Sequence, residues 1–445
     1  MTAPLGKGAF SVEIATVPDT CVKGLRNDDY LDRLRLDARV LFSIENAIER
    51  YSMQKAIKGL TQFFTKSDVI LWLLTISASA YSLLLINSMQ RASDYSYMTP
   101  QILALILGYI AAVVVTLIDY ERISKHWIVL MIISLGLLLM VFVFGRNVTG
   151  TDDTAWIMLP GGISFQPSEL VKVFFIVTFS RHMQLLKEND MLHHLLGVIS
   201  LVIHMAVPVV LIHMQGDDGT VLIFLFMFII TAFIGGVQLR YFLIMIVLLA
   251  AGIPILWSYF LNEEQKNRFT AIFDIDGNAM KNYGWQQYQG KVSVASGGLS
   301  GTGLGNGARV ASGIVPEQEN DFIFTVAGEE LGFIGCVLLV FILLLICVKI
   351  AMNAMSARDY LGRMICVGVF AMISVQSIIN IGMVLGLLPV VGITLPFFSS
   401  GGTSLLSVLI SIGLVQSVHY HKDVSDSSQG VLKINKYKYM TPARF

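Results

Sequence analysis

Charge is what this sequence is short of. Asp, Glu, Lys and Arg make up only 14% of its 445 residues, against roughly a quarter in a soluble globular chain. With 55% hydrophobic residues, that shortage excludes an ordinary soluble enzyme. The two signs balance to a net charge of zero, which says little where the placement of charge matters more than its sum; no nucleic-acid partner is expected. Cysteine is also scarce: Cys21, Cys336, Cys347 and Cys366 are the whole set. No Cys-x-x-Cys spacing occurs, so neither a disulfide frame nor a zinc site is indicated. Nor does a short apolar core precede a small-residue cleavage site in the polar, mixed-charge stretch 1–68, so no cleavable signal peptide is expected.

Long apolar runs are what the chain has instead. Runs of about 20 residues are each long enough to cross a bilayer as a helix. Ten are expected, at 69–88, 100–119, 126–145, 168–186, 194–213, 219–237, 240–261, 321–350, 362–387 and 401–419. The fold class is therefore an all-α polytopic membrane protein. Basic residues orient it. With the N-terminus inside, 23 Lys and Arg fall on the inner side, seven on the outer side, and Lys172 within a span. The asymmetry predicts both termini in the cytoplasm. Three parts follow: an N-terminal tail over 1–68, a membrane domain over 69–420 and a short basic tail over 421–445. Apolar residues at helical spacing from Leu31 to Ile48 suit either an interfacial or partner-binding helix or a simple lead-in to the first span. The basic tail suits anionic lipid heads.

On this topology the outer side carries a loop over 146–167 with Trp156, the stretch Met214-Gln-Gly-Asp-Asp218 between two spans, and a long loop over 262–320. A loop of that length is uncommon unless it is functional or disordered. Within it, Ser296-Gly-Gly-Leu-Ser-Gly-Thr-Gly-Leu-Gly-Asn-Gly307 is a backbone that approaches ligands closely or simply turns. It lacks the Lys-Ser/Thr ending of a P-loop, so no nucleotide is indicated. The stretch Leu387–Gly402, with its prolines and glycines in an apolar setting, predicts a re-entrant turn buried in protein or lining a cavity.

The informative stretch is Val315-Pro-Glu-Gln-Glu-Asn-Asp-Phe-Ile-Phe-Thr-Val-Ala-Gly-Glu-Glu-Leu-Gly332. Asn320 suits a helix N-cap, which puts Asp321 in the first turn. There the helix dipole favours the ionised carboxylate, which suits binding a divalent cation somewhat better than abstracting a proton. Glu329 and Glu330 follow about 12–13 Å deeper along the helix, where at least one must face the bundle interior or water. Glu169 and Lys172 stand three residues apart, either as a self-satisfying ion pair or with the lysine open to an anion. Asp217 and Asp218 suit helix caps or metal ligands.

Taken together, Trp156, Gly162-Ile-Ser-Phe-Gln-Pro-Ser-Glu-Leu-Val-Lys172, Gln215 to Thr220, Ser296 to Gly303, Pro316 to Gly332, Gly386-Leu-Leu-Pro389 and Phe397-Phe-Ser-Ser-Gly-Gly402 resemble the SEDS family (shape, elongation, division and sporulation proteins, the RodA and FtsW type). The resemblance covers about residues 69–420 and implies ten helices with both termini cytoplasmic. It implies a peptidoglycan glycosyltransferase in the bacterial cytoplasmic membrane that polymerises lipid II into β-1,4 glycan strands. Undecaprenyl pyrophosphate is the leaving group. A class B penicillin-binding protein is the implied partner, alongside other elongation or division machinery. Asp321 falls on the family's essential aspartate, as base or as ligand to Mg²⁺ or Mn²⁺. Trp156, Gln166, Glu169, Lys172, Asp217, Gln289, Lys291, Arg309, Glu330 and Ser400 are the candidate substrate contacts. Departures from the family pattern are the acidic Asp152-Asp153 before Trp156 where an Arg is usual, Gly216 in place of a proline, Asn320 in place of a threonine, and a longer tail. Two rival readings remain: a lipid II flippase using the intramembrane Glu329, Glu330 and Lys172, and a non-catalytic scaffold that recruits a penicillin-binding protein.

Overall fold

The structure is a computed structural model that describes residues 61–90, 97–145, 154–159, 163–260, 263–270, 272–273 and 284–422. The chain divides into two compact units, Met1–Thr65 and Lys66–Phe445. The tail helix expected within 28–64, the stretch 146–153 and the basic tail beyond residue 422 lie outside the described residues.

Among the described residues, eleven helices of twelve or more residues carry the second unit, alongside shorter helical turns. They are α1 (Val69–Gln90), α2 (Met98–Leu117), α3 (Trp127–Phe144), α4 (Pro167–Glu188), α5 (Leu195–His213), α6 (Asp218–Gly235), α7 (Leu239–Ile255), α8 (Trp285–Ser296), α9 (Ile323–Met355), α10 (Tyr360–Val384) and α11 (Gly402–Tyr420). All but α8 answer to the ten expected spans. Nine of them are long and apolar enough to cross a membrane by length and composition, among the described residues. The tenth, α4, is long enough at 22 residues, but it carries Glu169, Lys172, Arg181, Lys187 and Glu188. A two-stranded hairpin, β1 (Ile157–Leu159) and β2 (Ile163–Phe165), pairs antiparallel just before α4, with Ile157 opposite Phe165.

Burial sorts the helices into a centre and a rim. The most apolar window of α10 is 78% buried and that of α11 72%, against 11% for α3 and 6% for the α7 span. The centre is dense because small residues let backbones meet. A Cβ at Gly108 of α2 would lie 2.4 Å from Leu409 of α11, and one at Gly413 would lie 2.7 Å from the Ala112 carbonyl oxygen. Asp68 ties the start of α1 to the ends of α9 and α11. Its N–H donates to Gln416, and its carboxylate accepts from Asn353 and pairs with Lys349 at 3.0 Å. Those three chain ends therefore share one side, which the charge count assigns to the cytoplasm.

Helix α9 is not continuous. Gly332 has φ +67 and ψ −160 inside it. The Gly-rich loop after α8 repairs the break. Thr302 and Gly303 donate to the carbonyls of Glu329 and Glu330, while Phe333 and Ile334 donate to those of Gly298 and Leu299. Irregular backbone next to a span is tolerated because its polar groups are satisfied within the protein. Much of the long loop is thus folded back onto the bundle rather than free.

Candidate active site

Four segments meet at the opposite end of the bundle: the β2–α4 entrance, the α5–α6 turn, the stretch 313–322, and the irregular segment between α10 and α11. Asp217 joins the first two. It caps α6 by accepting from the Thr220 N–H at 3.0 Å, and it also accepts from Gln166 Nε2 at 2.8 Å and Ser168 Oγ at 3.2 Å. The cap and the site are thus the same residue. Glu169 and Lys172 lie beneath, buried, paired at 2.8 Å. Ser407 of α11 donates to the second Glu169 oxygen at 3.0 Å. Lys172 is 0% exposed, so its ammonium is committed to Glu169 rather than open to an outer cavity. Asp218 turns away from this group, toward His213 and Gln265.

Asp321 belongs to the other two segments, and here the helix-cap expectation fails. Helix α9 begins at Ile323 with Phe322 at its cap position and no side-chain cap bond. Asn320 Nδ2 instead donates to Glu317, which holds a positive φ of 52. Asp321 therefore sits in a turn ahead of the helix. Burial is the main cause that pushes its carboxyl up to about 7, and the negative charges of Glu317, Asp217 and Glu319 add to it. The helix dipole does not make it a strong, weakly basic carboxylate. Burial likewise raises Asp217, with Glu169 adding, against the opposing bonds from Thr220 and the charge of Lys172. Ser400 donates its N–H to the Glu319 carbonyl at 2.8 Å. A Cβ on Gly392 would lie 3.5 Å from Asp321 Oδ2, so the irregular segment passes directly against the carboxylate.

Not every candidate joins this group. Arg309 turns to Ser293 at 2.9 Å and to Gln289, which is itself buried. Glu330 accepts from Ser88, and the Gly305 and Gly307 N–H groups point to it. Glu329 accepts from the Arg309 N–H at 2.7 Å. These residues hold the Gly-rich loop in the α9 break. Lys291 is exposed on α8. A Cβ on Gly386 would meet its Nζ at 2.7 Å, and it forms no ion pair among the described residues. Trp156 is partly buried beside the hairpin.

Ser168, Ser399, Ser407 and Asn380 also hold the site, and little in the sequence singles them out. A lone buried Asn within the apolar α10 was the available signal, since polar groups at such depth are rarely idle. No group of three His, Cys, Asp or Glu that could hold a metal occurs among the described residues. Asp217 and Asp321 lie near enough for one charge to act on the other, and a pair of carboxylates suits a Mg²⁺ that keeps several waters and takes its further oxygens from a bound phosphate. They do not make an all-protein cage.

The profile of the family described as cell cycle protein, FtsW/RodA/SpoVE, matches residues 65–424. The peptidoglycan glycosyltransferase MrdB of Escherichia coli K12 is 31% identical over 365 residues, covering 81% of this chain and 95% of MrdB. A probable peptidoglycan glycosyltransferase FtsW of Geobacter sp. strain M18 is 31% identical over 359 residues, covering 79% and 96%. The rod shape determining protein RodA of Thermus thermophilus matches the structure with a TM-score of 0.60 at 26% identity, over 80% of this chain and 98% of RodA. A chain from a peptidoglycan synthase complex, studied for its coordination of polymerization and crosslinking, matches with a TM-score of 0.69 at 26% identity and the same coverage. A profile that spans nearly the whole second unit and a fold shared with both solved structures place this chain in the FtsW/RodA/SpoVE family, the SEDS proteins.

Proposed function

We propose that this protein is a peptidoglycan glycosyltransferase that polymerises lipid II at the outer face of the bacterial cytoplasmic membrane. The observation that carries the reading is Asp321: a partly buried carboxyl at the outer end, with a proton affinity near neutrality, beside a second acid. A general base works best when its pKa lies near the operating pH. The C4 hydroxyl of one lipid-linked sugar attacks the anomeric carbon of another and loses its proton to Asp321. The C1–O electrons leave with undecaprenyl pyrophosphate, a β-1,4 bond forms and the centre inverts. No nucleotide is needed, because the leaving group carries the driving energy.

Pyrophosphate needs positive charge. Lys291, exposed and without an ion-pair partner among the described residues, suits that role. Arg309 would reach an anion by releasing Gln289. In the alternative role, Asp321 and Asp217 would hold a Mg²⁺ or Mn²⁺, which when bound would supply charge to the leaving pyrophosphate, and Asp321 would then not be the base. Gln166 and Lys172 set the Asp217 side of the site from behind.

A class B penicillin-binding protein is the partner we propose, in keeping with the neighbour solved within a peptidoglycan synthase complex. The flippase reading loses support because Glu329 and Glu330 are engaged by the Gly-rich loop. Labelled lipid II, purified full-length protein and a co-expressed class B penicillin-binding protein test the proposal, under Mg²⁺ or Mn²⁺ and under EDTA. Glycan strands that vanish with Asp321→Ala support it; strands that persist in that variant overturn the role of Asp321, a wild type that makes none overturns the polymerase reading, and translocation without polymer favours the flippase.

A further inference from the structure

Asp321 is held through its backbone. Asn380, on α10, is 0% exposed. Its Nδ2 donates to the Asp321 carbonyl at 2.8 Å and to the Ile393 carbonyl at 2.6 Å. Both partners are acceptors, so the amide can only be oriented with its NH₂ toward them. The Asn380 amide thus bridges Asp321 to Ile393, the residue following Gly392, and Gly392 is the neighbour of the Asp321 carboxylate. The other Asn380 atom, Oδ1, is buried with no protein hydrogen-bond partner. A buried acceptor without a partner costs about 1–3 kcal/mol, so stability alone does not explain the choice of asparagine at this position.

A second clamp acts one residue earlier. Ser399 Oγ donates to the Asn320 carbonyl and accepts from the Leu395 N–H at 2.7 Å. The Ser399 segment is itself anchored, since Ser82 of α1 donates to the Phe398 carbonyl at 2.7 Å and Gln101 of α2 to that of Ser399 at 3.3 Å. Neither Asn380 nor Ser399 offers a free donor to a substrate. Both donate to consecutive carbonyls of the dipeptide that carries the catalytic carboxylate.

We infer that Asn380 and Ser399 are positioning residues that clamp the Asn320–Asp321 backbone against the 392–400 segment and so aim the Asp321 carboxylate at the reacting hydroxyl. This rests on the glycosyltransferase reading. A misplacement of about 1 Å at a reacting group is worth roughly 10²-fold in rate, and it acts on the chemical step rather than on binding.

The test is steady-state polymerisation of labelled lipid II by the full-length protein with its co-expressed partner, for wild type, Asn380→Ala, Asn380→Asp, Ser399→Ala and Ser399→Thr. Asn380→Asp keeps the shape but turns a carboxylate oxygen toward two carbonyls. Thermal unfolding of each purified variant controls for folding. Asn380→Ala and Asn380→Asp are expected to lower kcat about 10²-fold while KM stays within about twofold. Ser399→Ala is expected to lower kcat about tenfold, and Ser399→Thr, which keeps the hydroxyl, to restore most of it. Should the Asn380 variants fail to fold, the Ser399 pair decides alone. Folded Asn380→Ala with kcat near wild type, a loss carried by KM, or Ser399→Thr as poor as Ser399→Ala would overturn the inference while leaving the functional reading intact. Wild type that makes no strands with partner and cation would overturn the functional reading and the inference with it.

Discussion

Two acidic regions lie within one short stretch of chain, and the structure treats them in opposite ways. Glu329 and Glu330 are each 1% exposed, yet their oxygens and carbonyls collect donors from Ser88, Arg309, Thr302 and Gly303. Asp321 is more open, and its carboxylate receives no side-chain donor of this kind among the described residues; the charges acting on it are those of Glu317, Asp217 and Glu319. The donors around Glu329 and Glu330 tie them into the scaffold; donors alone do not decide, since Asp217 accepts three and still belongs to the site. Burial first, and like charges added to it, favour the protonated form of Asp321 and keep it responsive near neutral pH. Depth in the membrane is therefore a poorer guide to chemistry here than the sign of what surrounds each acid.

The sharpest way to break this contrast is to remove the responsive acid. Asp321→Asn keeps the shape and removes the base. Polymerisation of labelled lipid II is expected to fall by about 10²–10⁴-fold, with the protein still folded by thermal unfolding. Activity within about tenfold of wild type would refute the base role.

Titration sharpens the same contrast. Asp321 must be ionised to accept a proton, so kcat is expected to fall about tenfold for each pH unit below about 7. Stability runs the other way. The folded carboxyl binds its proton more tightly than the unfolded one, so this group favours the folded state at low pH. That contribution is lost as pH rises from 3.8 to about 7. In Asp321→Asn the corresponding slope of the unfolding temperature against pH should disappear. A pH–rate profile flat between 5.5 and 8 would show that Asp321 is not the titrating group.

Much of this was legible in the sequence, for identifiable reasons. Nine of the ten expected spans correspond to helices long and apolar enough to cross a membrane, among the described residues, because length and hydropathy decide that outcome; the tenth corresponds to the charge-bearing α4. The glycines of 296–307 marked a close-approach loop, and Asp217 was visible as a cap. What stayed hidden depends on contacts distant in the chain. Asn320 resembles an N-cap, but its amide is taken by Glu317, so the helix starts two residues late and Asp321 loses the dipole. The acidic neighbours of Asp321 come partly from the α5–α6 turn, about a hundred residues upstream. Lys172 was open to either reading until Ser407, from the last helix, completed the Glu169 pair. Asn380 carries no local motif at all; its role exists only because the Asp321 and Ile393 carbonyls converge on it.

The scaffold half of the comparison predicts effects on stability rather than rate. Gly301 has φ +78, and a Cβ there would lie 2.1 Å from the Glu330 carbonyl oxygen. Gly301→Ala should therefore unseat the loop from the α9 break and destabilise the protein by about 2–4 kcal/mol, seen as a lower unfolding temperature. A variant as stable as wild type would mean that the loop does not hold the break.

The smallest effect is the most discriminating, because it separates the two acids that share a peptide bond. Glu330 receives Ser88 from α1, whereas Glu329 receives a backbone N–H that no side-chain substitution removes. Ser88→Ala deletes a single donor to a buried carboxylate, and the Gly305 and Gly307 N–H groups still point to that carboxylate. The expected loss is about 1–3 kcal/mol in stability, with kcat within about twofold of wild type because Asp321 lies in a separate cluster. A Ser88→Ala enzyme that unfolds normally but has lost most of its activity would reverse the assignment: Glu330 would then belong to the chemistry, and the contrast between a donor-rich scaffold and a repulsive site would no longer separate the two regions.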